Sequence, residues 1–207
     1  MQNRLLTYIL LLIAIVISLW IGVDVVSQFR AGIIYFAIAS VSLMAYIILG
    51  SKYEWYIINP QHIITDGLIG LFFGLFWIFG SYIFPSLSIG IPDTSYLSFS
   101  SVARSLVVVG LAPIVEELGI KGAFGLFFKS TSRIPIFLIV IITSLIFAGL
   151  HWFVAGSSLA SSSILISAFL FCILTWLIVL WRKSLTGAYV AHLVYNSFVA
   201  VGGLVIV

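Results

Sequence analysis

The sequence predicts an all-α membrane protein, a polytopic bundle of about seven transmembrane helices that encloses a polar cavity. The chain of 207 residues is 63% hydrophobic and only 7% charged. Uncharged apolar stretches of about 20 residues, the length of a helix that crosses a bilayer, cover most of it. A few charges nevertheless stand in the middle of one such stretch. We therefore expect one integral membrane domain over residues 1–207, with no separate soluble domain.

Charged residues divide the chain into seven candidate crossings. In order they are 5–23, 31–49, 63–84, 102–128, 134–153, 164–181 and 185–207. The first segment has no evident cleavage motif of small residues, so we interpret it as a retained helix and not as a removed signal peptide. The uncharged run 134–181 also allows a re-entrant element around AGSSLASSS, at 155–163.

The distribution of basic residues predicts the orientation in the cell membrane. If the seven crossings alternate, Arg30 and Arg104 fall on one side and the polar connection 85–101 faces outward. The positive-inside rule then places the N-terminus in the cytoplasm, because the opposite side holds the larger basic group. That group is Arg4, Lys52, Lys129, Arg133, Arg182 and Lys183.

Composition also excludes several classes of protein. The single cysteine, Cys172, lies in an apolar run and has no partner, which excludes disulfides and argues against a cysteine-ligated metal. The formal net charge of +3 comes from basic residues scattered between apolar segments. Membrane topology explains that pattern better than a nucleic acid partner does.

The first candidate for chemistry is the sequence EELGIKG at 116–122. Glu116 and Glu117 lie near the middle of the fourth segment, where an ionised carboxylate costs at least about 2.5 kcal/mol and calls for a partner, water or a proton. Consecutive helical residues point about 100° apart, so we expect the two glutamates to serve different contacts. Glu117 precedes Lys121 by one helical turn, which predicts an ion pair and leaves Glu116 to face elsewhere.

The other polar candidates are His151, His192 and Asn196. A lone histidine among apolar residues is usually a core group bonded to a backbone carbonyl. His192 and Asn196 are four residues apart, however, and therefore share a helix face. A carboxylate, two imidazoles and an amide together supply what hydrolysis of an amide bond needs: a base, groups or a metal that position water, and an oxyanion donor.

Water is the favoured nucleophile for such a reaction. The sequence has no GxSxG and no HExxH motif, and no serine in a recognisable nucleophile context. A small transporter with buried carboxylates as proton carriers also fits the glutamates. That reading gives no reason for the histidine and asparagine on one face.

Three motifs resemble the signature of the CPBP family of intramembrane endopeptidases, which includes type II CAAX prenyl proteases and bacteriocin-processing or self-immunity proteins. The family shows a glutamate pair followed four residues later by arginine, a phenylalanine four before a histidine, and a histidine four before asparagine or aspartate. This chain has EELGIK at 116–121, FAGLH at 147–151 and HLVYN at 192–196. The motifs span about 101–207, the part of the chain that we expect to form a protease-like core.

The resemblance implies an endopeptidase whose substrates are peptides or membrane-anchored proteins. Glu116 would activate water with His151, while His192 and Asn196 would position the substrate carbonyl and stabilise the oxyanion. Glu116, His151 and His192 are also an acceptable zinc set with an open fourth position, so the resemblance leaves zinc dependence open. Lys121 departs from the family pattern, since lysine lacks the planar fork of arginine.

Two questions stay open at this point. A non-catalytic membrane partner, such as a bacteriocin self-immunity protein or a scaffold, would use the same cavity to bind. Depth is also a difficulty, because a rise of ~1.5 Å per residue puts His192 roughly 12 Å and His151 roughly 25 Å from the cytoplasmic boundary. Straight upright helices would keep the two imidazoles apart.

Overall fold

The computed structural model describes residues 59–83, 109–110, 112–125, 134–155 and 162–205. Its elements are five helices, which confirms the all-α prediction for this part of the chain. The candidate crossings 5–23 and 31–49 and the connection 85–101 lie outside the described residues. The helices are α1 (Ile63–Ile83), α2 (Ala112–Glu117) with its π-helical continuation Leu118–Gly125, α3 (Ile136–Ala155), α4 (Ser162–Arg182) and α5 (Thr186–Val205).

Four of the predicted crossings match helices of the structure. The bounds of α1, α3, α4 and α5 agree with the segments 63–84, 134–153, 164–181 and 185–207 to within two residues. Residues 156–161, within the stretch for which the sequence also allows a re-entrant element, are not described. The total of seven crossings therefore stays a prediction.

Two of the described helices are long and apolar enough to cross a membrane, over Ile63–Ser81 in α1 and Leu165–Arg182 in α4. Helix α3 contains a shorter apolar stretch, Ile136–His151. On α1, Ile64 is 76% exposed and Phe79 is 65% exposed. Large apolar side chains left open in this way are suited to contact with lipid.

Helices α1 and α5 lie in close contact along parallel axes. Gly70 approaches the backbone of Gly187, and a Cβ atom at Gly74 would lie 2.9 Å from the carbonyl oxygen of Ala191. Later residues of α1 therefore contact later residues of α5, so the two helices run in the same direction. Small residues permit such close approach of helix backbones in membranes.

The Glu116 segment lies between two other helices. Helix α2 packs against α5, while its π-helical continuation packs against α3. Helix α4 packs against both α3 and α5. Its link to α3 is a buried hydrogen bond, in which Nε1 of Trp176 donates to Oγ1 of Thr143 at 2.8 Å.

An ion pair that the sequence analysis did not predict joins the start of α1 to the end of α4. Nε of Arg182 donates to Oδ1 of Asp66 at 2.7 Å, and Asp66 is fully buried. The contact places these two helix ends at the same side of the bundle. The sequence offers no signal for it, because the two residues are far apart in the chain and each is an ordinary charge at a predicted helix end.

Candidate active site

Glu116 and Glu117 are the last two residues of α2, at the point where the winding changes to a π-helix. π-helical turns are rare in proteins, and those that do occur are often found at functional sites. Both glutamates are buried, Glu116 with 8% and Glu117 with 2% of its surface exposed. The carboxylates thus face the protein interior and not lipid.

Lys121 is the ionic partner of Glu117, as the spacing predicts. Its Nζ lies 2.5 Å from Oε2 of Glu117, and Lys121 is fully buried. The ammonium also lies 5.9 Å from the centre of the Phe147 ring. Each charge neutralises the other, so the pair can be held in a dry interior.

His192 lies between the two glutamates, which corrects the expectation that they serve different contacts. Its Nδ1 is 3.0 Å from Oε1 of Glu117, and its Nε2 is 3.5 Å from Oε2 of Glu116. An imidazole has nitrogens on two edges, so one ring can bridge side chains that diverge from a helix. Because a carboxylate accepts hydrogen bonds, Nδ1 carries the proton of this bond, and in the neutral ring Nε2 keeps a lone pair.

His151 approaches Glu116 from the other side. Its Nδ1 is 2.9 Å from the carbonyl oxygen of Phe147, which is an acceptor only, so Nδ1 donates this bond. The other nitrogen, Nε2, lies 4.0 Å from Oε2 of Glu116. The ring also packs against that of Phe147, with centroids 4.3 Å apart. These contacts fix the orientation of the imidazole.

When both rings are neutral, three acceptor atoms therefore converge on one point: Nε2 of His151, Nε2 of His192 and Oε2 of Glu116. Two lone pairs directed at a carboxylate oxygen repel it unless a proton, a water molecule or a cation lies between them. A separation of 3.5–4.0 Å is longer than a direct hydrogen bond. The arrangement is suited to hold a small polar species.

The meeting of the two histidines resolves the difficulty of depth. His151 lies near the end of α3 and His192 near the start of α5, yet both rings face Glu116. Level, upright helices would hold them at different heights, so α3 and α5 are tilted or offset relative to each other.

Asn196 lies one turn beyond His192 on α5, and its side chain is half-buried. The two residues share a helix face, as their spacing predicts. A role of Asn196 as oxyanion donor stays a prediction.

An aromatic wall, which the sequence analysis did not identify, adjoins His192. Phe171 on α4 meets the imidazole edge-on, with centroids 5.2 Å apart, and Phe147 does so at 6.0 Å. Trp77 and Tyr195 pack in turn against Phe171. These residues carry no signal in the sequence, since an aromatic residue in an apolar helix is the expected filler of a core.

The side chains at this site are chemically suited to bind zinc, whose usual ligands include histidine nitrogen and carboxylate oxygen. Both imidazoles also have their second nitrogen held by an acceptor, as histidine ligands of metals usually do. As placed, however, no three His, Cys, Asp or Glu side chains within the described ranges form a group arranged to hold a metal.

These features define a class of protein: a helical membrane protein with a buried glutamate–histidine site. Comparison with known protein families then identifies a matching family. The model of the Rce1-like family, described as type II CAAX prenyl endopeptidase, matches residues 98–198. Over these residues the chain matches the CPBP family, which is a family of membrane-embedded proteases. No curated protein and no solved structure matches the chain.

The matched region contains all the site residues named above except Trp77. It confirms the resemblance carried by the three short motifs. Helix α1, which contains Trp77, lies outside the match.

Proposed function

We propose that this protein is an intramembrane endopeptidase that hydrolyses a peptide bond of membrane-associated substrates with water activated by Glu116. One observation carries the proposal: Nε2 of His151 and Nε2 of His192 both face the same buried oxygen of Glu116. The match to a protease family supports the reaction class. The name of that family suggests a prenylated CAAX sequence as the first substrate to test.

Glu116 acts as the general base in this mechanism. A water molecule beside Oε2 donates one hydrogen bond to the carboxylate and one to Nε2 of His151. Glu116 takes a proton as the water oxygen attacks the carbonyl carbon of the substrate. When the tetrahedral intermediate collapses, the carbon–nitrogen bond breaks and the proton passes to the leaving amine.

His192 and Asn196 stabilise the oxyanion that forms in this step. The amide of Asn196 is a donor without a titrating proton. His192 is a donor at Nε2 when its ring is protonated, and the hydrogen bond from Nδ1 to Glu117 orients the ring, as an aspartate does in serine proteases. Lys121 in turn forms an ion pair with Glu117. The resulting chain runs from Lys121 through Glu117 to His192.

The site lies in a bundle that we propose crosses the cell membrane seven times with the N-terminus in the cytoplasm. The parallel course of α1 and α5 supports alternation, because both are odd-numbered crossings in this scheme. The ion pair of Asp66 with Arg182 supports it as well, since both residues fall at predicted cytoplasmic ends. The positive-inside rule supplies the direction.

The test is cleavage by purified protein in proteoliposomes, with a farnesylated peptide that ends in a CAAX sequence and with the membrane proteins of the source cell. Proteomics of cells with and without the gene would identify the peptides that lose their processed form. Glu116→Gln and His151→Ala should each lower kcat at least about 100-fold, the size expected for loss of a general base or its water-positioning partner. Both variants should still fold and insert.

Ser197→Ala is a matched control, because its hydroxyl donates only to the carbonyl of Leu193 on the same helix. This variant should cleave at the rate of the wild type. Cleavage by Glu116→Gln at the unmutated rate would refute the mechanism. A partner-binding role, the alternative to catalysis, would survive both active-site changes, so retention of a biological effect in both variants would favour it.

Metal analysis decides between water activation by Glu116 alone and zinc held by Glu116, His151 and His192. The measurement is zinc content per chain in purified wild type and in His192→Ala. One zinc per chain in the wild type and none in the variant would assign the ion to this site. Equal content in the two proteins would show that zinc is not held at this site and would favour activation of water by Glu116 alone.

A further inference from the structure

Trp77 is joined to the candidate active site through aromatic contacts, although it lies outside the family match. Its indole packs edge-on against Phe171, with ring centroids 5.4 Å apart. Phe171 meets His192 edge-on at 5.2 Å. Trp77 is therefore two ring contacts from the imidazole.

The packing of α1 holds this indole in place. Gly70, Gly74 and Trp77 follow each other at spacings of four and three, so they share one face of the helix. The two glycines bring α1 against the backbone of α5. Trp77 continues this interface into a buried cluster with Ile78, Phe171 and Tyr195. The tryptophan has little freedom to turn elsewhere.

The N–H of this indole has no acceptor among the described residues. Trp77 is 8% exposed, and its Nε1 is buried without a hydrogen-bond partner. By contrast, Nε1 of the fully buried Trp176 donates to Thr143. An unsatisfied donor destabilises a folded protein, and the membrane interior supplies no water to satisfy it. Phenylalanine would fill much of the same space without this cost.

We propose that Trp77 is a substrate-binding residue whose indole N–H donates a hydrogen bond to a backbone carbonyl oxygen of the bound peptide. The inference rests on the proposed function, since every peptide substrate carries such an acceptor. The two ring contacts put the indole no more than about 11 Å from His192, which is about three residues of extended chain. The carbonyl thus belongs to a residue close to the bond that is cleaved.

Binding without turnover provides the test. A fluorescent farnesylated peptide that ends in a CAAX sequence is titrated onto the Glu116→Gln protein and onto Glu116→Gln with Trp77→Phe. We expect the second protein to bind the peptide about five- to tenfold more weakly, the effect of one hydrogen bond. Thermal unfolding of Trp77→Phe without peptide should occur at the same temperature as the wild type or higher, because a buried unpaired donor is gone.

Trp176→Phe is the matched control, since it removes an indole N–H that already has a partner. It should lower the unfolding temperature and leave peptide affinity unchanged. Replacement of Trp77 by benzothienylalanine, which keeps the bicyclic ring and lacks the N–H, should reproduce the weaker binding without loss of packing.

Two results would overturn the inference while the proposed function stands. One is equal affinity of the peptide for both proteins. The other is destabilisation of Trp77→Phe as large as that of Trp176→Phe. That result would show that the N–H of Trp77 already donates to an acceptor within the protein. If the peptide binds neither protein and the wild type does not cleave it, the CAAX substrate class of the proposed function fails, and the inference fails with it.

Discussion

Lys121 is the residue at which this chain departs from the pattern of the matching family. Arginine presents a planar fork to a carboxylate, whereas lysine offers a compact point charge. Here the single contact with Oε2 of Glu117 leaves Oε1 to accept from His192. The lysine therefore still supplies the charge that the site needs.

Loss of the Lys121 charge should impair both folding and catalysis. Lys121→Met leaves the buried carboxylate of Glu117 without its ionic partner, so we expect a loss of about 3–5 kcal/mol of stability. Lys121→Arg keeps the charge and should retain at least part of the cleavage activity. Thermal unfolding in detergent and the cleavage rate of each variant are the two measurements.

A double substitution separates the structural role of Lys121 from its role in positioning His192. Glu117→Gln with Lys121→Met removes both charges of the pair and should recover most of the lost stability. It should not recover kcat, because a neutral amide is a weaker hydrogen-bond acceptor than a carboxylate and orients the ring of His192 less firmly. Activity of the double variant equal to that of the wild type would contradict the proposed chain from Lys121 to His192.

At the scale of elements, the contact of α1 with α5 sets one wall of the site. It depends on backbone approach, which allows no Cβ atom at Gly70 or Gly74 without movement of a neighbour. The π-helical segment after Glu117 also affects the geometry of the site, because it changes the angular spacing of side chains just after the glutamates.

A methyl group at Gly74 should push α1 away from α5. In Gly74→Ala the new Cβ would lie 2.9 Å from both the Ala191 oxygen and the Cβ of Val194. We expect a net loss of about 1–3 kcal/mol, as for other overpacked sites. Gly67→Ala is the control, since nothing lies within 4 Å of its added Cβ. That change should be neutral or slightly stabilising, because alanine is the better helix former. Equal unfolding temperatures for the two variants would contradict this account of the interface.

At the scale of the whole molecule, helix directions and helix ends bear on topology. Because α1 and α5 run parallel, the proposed topology has to place both in the membrane in the same sense. The ion pair of Asp66 with Arg182 requires that the start of α1 and the end of α4 share a side. Both conditions hold in the alternating scheme of seven crossings.

Cysteine labelling tests the orientation of the fourth crossing. The native Cys172 is fully buried, so the unmodified chain serves as an unlabelled background. In intact cells a membrane-impermeant maleimide should label Ser95→Cys and should label Lys129→Cys only after permeabilisation. The reverse pattern would contradict a cytoplasmic N-terminus, and labelling of both positions in intact cells would contradict a crossing between them.

The membrane setting, the positions of the helices and the unusual polar residues could be predicted from the sequence alone. Long uncharged segments have few alternatives to transmembrane helices, which is why four predicted crossings match α1, α3, α4 and α5 so closely. The ion pair of Glu117 with Lys121 followed as well, because it joins residues one helical turn apart. Charges within apolar segments identified Glu116, His151 and His192 as unusual before any contact was known.

How these residues meet depends on the packing of the helices against one another, which the sequence does not show directly. The bridge of His192 between two glutamates, the tilt or offset that resolves the depths of His151 and His192, and the pair of Asp66 with Arg182 all join residues from different helices. Helical periodicity fixes the face on which a residue lies but not the height or angle at which one helix packs on another. Those quantities depend on backbone approach at glycines and on the fit of large side chains, which no local pattern records.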